Sequence, residues 1–99
     1  MIARIWQGKT SAKNFDDYTA FLKKVAVPDY NKTDGFVSLT FLKRLENNEG
    51  HFTLITFWEN LAVIKNFAGE DFEKAKYYPE DDNYLLEFEE KVVHYDVFA

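Results

Sequence analysis

Two stretches facing each other across a short polar break decide how this chain folds: Gly35-Phe36-Val37-Ser38-Leu39-Thr40-Phe41-Leu42-Lys43-Arg44-Leu45 and His51-Phe52-Thr53-Leu54-Ile55-Thr56-Phe57-Trp58. Both are rich in β-branched and aromatic residues. The five residues between them, Glu46-Asn47-Asn48-Glu49-Gly50, have turn composition, so the pair reads as a β-hairpin. Its apolar residues do not alternate with polar ones as a half-exposed sheet would require. Phe41 and Leu42, Leu54 and Ile55, and Phe57 and Trp58 are adjacent pairs, and neighbours in a strand point to opposite faces. The hairpin therefore calls for two buried faces.

Working outward, Ile2 to Lys9 reads as a first strand and Lys91 to Phe98 as a closing one. Ser11 or Asn14 can cap a helix whose apolar stripe is Phe15, Tyr18, Leu22 and Val25. Asp16 and Asp17 sit at its positive end and Lys23 and Lys24 at its negative end. Pro28 predicts where that helix stops. Asn60 is a suitable N-cap and Gly69 a suitable C′ residue for a second helix carrying Ile64, Phe67 and Ala68, and Asp71 to Tyr77 reads as a further helical turn or two. The order is β-α-β-β-α-β, a single ferredoxin-like α+β domain over residues 1–99 with helices on one face of a four-stranded antiparallel sheet. Two helices cover one face. A contiguous apolar face on the other side predicts a homodimer packed sheet on sheet.

Composition narrows function by exclusion. With no Cys among 99 residues there is no disulfide scaffold, thiolate nucleophile or Cys-ligated metal, and two histidines leave little for a His-rich centre, so no metal site is expected. A net charge of −5 argues against nucleic-acid binding, and no apolar run is long enough for a signal peptide or membrane span, which gives a cytoplasmic expectation. The charge is uneven. Residues 69–90 hold nine acids against two lysines, a balance of −7, over a body of about +2. Glu80-Asp81-Asp82 lacks the spaced ligands of a calcium loop and reads as solvated. Tyr84, Leu85, Leu86 and Phe88 predict that this segment packs down on the first helix or across the dimer, carboxylates outward, where it could lid a pocket.

In its order of elements, in Ile2-Ala3-Arg4-Ile5-Trp6, in Gly35-Phe36, in Leu54-Ile55-Thr56-Phe57-Trp58-Glu59-Asn60 and in Val93-His94-Tyr95-Asp96-Val97, the whole chain resembles the antibiotic-biosynthesis-monooxygenase (ABM) family of the dimeric α+β barrel superfamily. Phe67-Ala68-Gly69-Glu70-Asp71 and Tyr77-Tyr78-Pro79-Glu80 fit the same pattern. The resemblance implies a homodimer with a pocket in each subunit between sheet and helices. It also implies oxidation of a phenol- or quinol-type molecule with no metal, flavin or other cofactor, since an electron-rich anion can itself reduce oxygen. Trp58 matches the position of a pocket-shaping tryptophan in the family. The residues add Tyr78 as a hydroxyl donor and His94 as a base, with Arg4, Trp6, Tyr30 and Tyr77 as substrate-binding candidates. A non-catalytic ligand-binding or stress-response homodimer is the alternative. Haem degradation is a weaker third reading, because of that branch's residues only Trp58 is present.

Overall fold

The computed structural model describes all residues, Met1–Ala99. Strands β1 (Ile2–Ser11), β2 (Phe36–Glu46), β3 (Glu49–Trp58), β4 (Leu85–Phe88) and β5 (Val93–Asp96) form one antiparallel sheet. Its order is β2-β3-β1-β4, and β5 also pairs with β1. Helix α1 (Phe15–Phe21) continues through a π-helical turn (Leu22–Ala26) into α2 (Val27–Asn31), while α3 (Leu61–Ala68) follows β3. This is the expected ferredoxin-like α+β fold.

The hairpin forms as the composition requires. Asn47 and Asn48, with φ of 54° and 61°, make the two-residue turn, both in the left-handed region that asparagine tolerates and that matches strand twist. Cross-strand pairs Phe41–Leu54 and Lys43–Phe52 share the helix-covered face, and Leu42–Thr53 and Thr40–Ile55 the open one. Adjacent apolar residues thus split between faces. Asn60 caps α3, its Oδ1 accepting from the Val63 amide at 3.1 Å.

Three expectations are corrected. The first helix does not stop before Pro28. Val27 N–H bonds to Leu22 O, one residue farther back than in an α-helix, and this widened turn makes room for a ring that has no N–H and crowds the carbonyl four residues earlier. The closing strand is not continuous over 91–98. β4 pairs with Gly8–Thr10 and β5 with Ile2–Ile5, so two short strands with a break between them share one edge of β1. Residues 71–77 form no helix. Their main chain is tied instead to the 89–92 break, through Ala75 N–H to Glu90 O at 2.9 Å and Val92 N–H to Glu73 O at 2.8 Å. A five-residue 3₁₀ turn, Pro79–Asn83, follows.

The core lies between sheet and helices in two clusters. One joins Trp6, Phe52 and Leu54 of the sheet to Tyr18, Phe21, Leu22 and Ala26, with Val92 added from the break. The other is Trp58 with Ile64 and Phe67 of α3. Tyr84 packs on Phe21 with ring centroids at 5.5 Å, so the acidic segment does dock on the first helix. The open face carries an apolar block from three neighbouring strands, Ala3 and Ile5, Ile55 and Phe57, and Val93 and Tyr95.

Gly35 enters β2 with φ +88°, and a Cβ there would run into the Val63 side chain of α3. Gly35→Ala is expected to destabilise by about 2 kcal/mol or more, from the unfavourable φ together with overpacking. Urea denaturation measures it, and Val63→Ala in the same chain should recover the overpacking part only.

Candidate functional site

The site is an interior cavity between sheet and helices. β1 contributes Arg4 and Trp6, alternate residues on its helix-covered face, and β3 contributes Leu54 and Thr56. Tyr18, Leu22, Ala26 and Tyr30 come from the helical stretch, and the widened turn before Pro28 thus forms part of the wall. Ala75, Lys76, Tyr77, Tyr78, Asp81 and Val92 close it from the acidic segment. Its free volume is about 30 Å³, room for a water molecule or two, and it opens to the surface.

Arg4 is the unusual member, being only 4% exposed. Its Nη1 donates to Phe72 O at 2.5 Å and to His94 Nε2 at 3.0 Å, and its Nη2 donates to Lys74 O at 3.1 Å. No carboxylate pairs with it. Of its five N–H groups, Nε–H and one on Nη2 make no hydrogen bond within the protein. Burial pulls the guanidinium pKa below its ordinary value, and the Tyr30 hydroxyl opposes that shift. Tyr30 is itself pushed up to about 12 by burial, with Arg4 pulling it back.

The segment over the cavity is latched at several points. Trp6 Nε1 donates to Glu89 O at 3.2 Å and to the Tyr77 hydroxyl at 3.3 Å, and that hydroxyl donates in turn to Glu89 O. Gly8 permits this, because a Cβ there would strike the Trp6 indole. Asp29 of α2 receives Lys76 Nζ at 2.7 Å, the Tyr78 hydroxyl at 2.6 Å and Lys32 Nζ at 3.1 Å. Burial raises the Asp29 pKa, but these donors outweigh it and hold the carboxyl at about 2. Burial, and then the hydrogen bond to Asp29, push the Tyr78 hydroxyl well above its ordinary range.

Of the residues singled out from sequence, Arg4, Trp6, Tyr30, Tyr77 and Tyr78 come together in this cavity. Trp58 and His94 do not line it. Trp58 is fully buried one layer away, its Nε1 donating to Thr56 Oγ1 at 2.8 Å, and that hydroxyl donates to Arg4 O at 3.4 Å. His94 lies beside Arg4 against Phe72. Burial, and then Arg4, lower its pKa, and Nε2 must stay unprotonated to accept from the guanidinium, so its lone pair is already engaged. Sequence reasoning missed Asp81, which is not solvated but 5% exposed, with Oδ1 buried and unpartnered. The signal available was its place as the third residue of a Pro-initiated turn, where a carboxylate caps the turn: Oδ2 accepts from Tyr78 N–H at 2.9 Å. Tyr18, predicted only as part of a helix stripe, also lines the cavity.

The same fold occurs in solved structures. A conserved protein from Methanosarcina mazei superposes with a TM-score of 0.70 at 19% identity, over 95% of this chain and 89% of that one. A Bacteroides thetaiotaomicron protein provisionally described as an antibiotic biosynthesis monooxygenase gives 0.71 at 16% identity, covering 99% and 90%. One from Bacillus cereus with the same provisional description gives 0.55 at 16%, covering 99% and 89%. The chain therefore has an ABM-like fold. No protein-family profile matches the sequence, and no curated protein matches it. No helix is long and apolar enough to cross a membrane.

Replacing Asp29 by Asn is expected to loosen the cover, with faster hydrogen exchange at the amides of residues 76–78. Because the folded carboxyl ionises below its ordinary 3.8, the stabilisation it brings is complete above that value and is lost as pH falls towards 2. An acid titration of stability should show that loss in the wild type and a smaller one in the variant.

Proposed function

We propose that this protein binds a small phenol- or quinol-type molecule in the interior cavity and oxidises it with dioxygen as a cofactor-independent monooxygenase. The observation that carries this reading is the Arg4 guanidinium, buried without a carboxylate partner on an otherwise mainly apolar, aromatic cavity. An uncompensated buried cation is costly, and a ligand oxyanion would offset that cost. A cation held there by two backbone carbonyls and a histidine is already oriented when negative charge develops on a ring oxygen. The ABM-like fold supports the same reading. The electron balance closes without an external reductant: a quinol and dioxygen give a hydroxyquinone and water, the substrate supplying all four electrons. Aromatic walls exclude water while the anion meets oxygen.

A free volume of about 30 Å³ is well below the roughly 150 Å³ that holds a single benzene ring, so binding requires residues 75–81 to move outward. Opening would break the polar latches to Trp6 and Asp29 and the packing of the Tyr78 ring on Phe21. Oxygen uptake with a series of hydroquinones in the presence of a chelator tests the reading. Turnover to hydroxyquinone is expected, with kcat/KM reduced about 10²–10³-fold in Arg4→Gln. Absence of uptake with every quinol, in a protein that still binds them, would favour the non-catalytic binder, a reading the closed cavity also suits.

The second buried face belongs to the same proposal. Ile5, Ile55, Phe57, Val93 and Tyr95 form an apolar block on the open side of the sheet, Val93 and Tyr95 being 46% and 55% exposed. A second copy packed sheet on sheet would cover it. Sedimentation should give a species of twice the chain mass, and Ile55→Glu should give the single chain with its fold intact.

A further inference from the structure

We infer that Asp81 is the proton acceptor of this cavity, its Oδ1 taking the proton of an aromatic hydroxyl group whose oxygen is left as an anion for Arg4. This deepens the proposed function and rests on it for the class of ligand. Asp81 is 95% buried, it lines the same cavity as Arg4, and Oδ1 has no hydrogen-bond partner, whereas Oδ2 is engaged by the Tyr78 amide. A carboxylate oxygen left without a hydrogen bond in an interior is costly to maintain, the Tyr18 hydroxyl that faces Asp81 does not close on Oδ1, and a bound hydroxyl would satisfy it. Asp81 Oδ1 and the spare N–H groups of Arg4 are thus opposite in character, an acceptor on the cover and donors on β1. A ligand that satisfies both presents an acidic O–H to one and an oxyanion to the other. In the step itself the O–H bond breaks, the proton bonds to Oδ1, and the electron pair stays on the ring oxygen.

The surroundings favour this direction of transfer. Burial raises the Asp81 pKa, the Tyr78 amide opposes it, Glu80 and Asp82 on the same turn reinforce it, and the Tyr18 hydroxyl, the donor that faces this carboxylate from α1, opposes it, so Asp81 is a stronger base than a solvated carboxylate. Tyr30 of α2 and Tyr77 and Tyr78 beside the turn also act on this region, and Arg4 and Lys76 are the cations in the lining. All four tyrosines are held above their ordinary range and remain neutral through the pH range of a binding experiment.

The probe is 4-nitrocatechol, whose colour reports its ionisation, used at a pH above the titration of Asp81 and below the first pKa of the probe. The wild type is expected to bind it as the anion with almost no proton released to solvent, and the carboxyl carbon of Asp81 should shift to its protonated position in a carbon NMR spectrum. Asp81→Asn keeps a side-chain oxygen for the Tyr78 amide. It is expected either to bind the neutral probe at least about tenfold more weakly or to release one proton for each anion bound. Release of one proton by wild type and variant alike, an unshifted Asp81 carboxyl, or a probe that does not bind the wild type would each overturn the inference. Oxygen uptake separates it from the reading on which it rests. Undiminished uptake in Asp81→Asn would sink Asp81 as acceptor and leave the oxygenase standing, whereas proton retention without uptake would leave Asp81 standing and sink the oxygenase.

Discussion

A single buried guanidinium organises the segment that lies over the helical face. Arg4 sits in the central strand with its head in the interior, and what it hydrogen-bonds is main chain, the carbonyls of Phe72 and Lys74, with the lone pair of His94. Those contacts tie the start of a long acidic excursion to β1. Once residues 72–74 are fixed there, the excursion must cross the helical face before it returns as β4, and Tyr77, Tyr78 and Asp81 are delivered to the cavity. A charge that is expensive to bury thus fixes where the cover starts.

The cover is held by aromatic packing and polar latches. Its aromatic residues dock on the first helix, and Asp29 holds Lys76 and the Tyr78 hydroxyl together. Yet its regular structure amounts to a 3₁₀ turn, one isolated bridge and a four-residue strand, which leaves few cooperative hydrogen bonds to break. The lining comes from three places, Arg4 and Thr56 from the middle of the sheet, Tyr18 and Tyr30 from the helices, and Asp81 with Tyr77 and Tyr78 from the cover.

Much of the fold was legible because its signals are local. The doubled apolar residues of the hairpin, the Asn60 cap and the break at Gly69 each follow from a few neighbouring residues. The same local logic placed Arg4 and Trp6 on one face of β1, two residues apart, and both do line the cavity. It failed for the π-helical turn. Proline is read as a stop because it lacks an N–H, and nothing in the local pattern says that a helix will widen around it when Leu22 and Ala26 are both needed in the core.

The sequence by itself determined the class of fold, the two-sided apolar character of the sheet and the aromatic supply of the interior, since periodicity and caps depend on residues within a turn or a strand of each other. Only the tertiary structure decided which of the candidate residues meet. Trp58 went to the core under α3, His94 became a neighbour of Arg4, and Asp81, one acid in a run of three, was buried. The physical reason is that residues 69–92 are positioned by main-chain hydrogen bonds over long separations, such as Glu89 N–H to Gln7 O and Ala75 N–H to Glu90 O. Backbone groups are the same in every residue, so such bonds leave no mark on the amino-acid pattern.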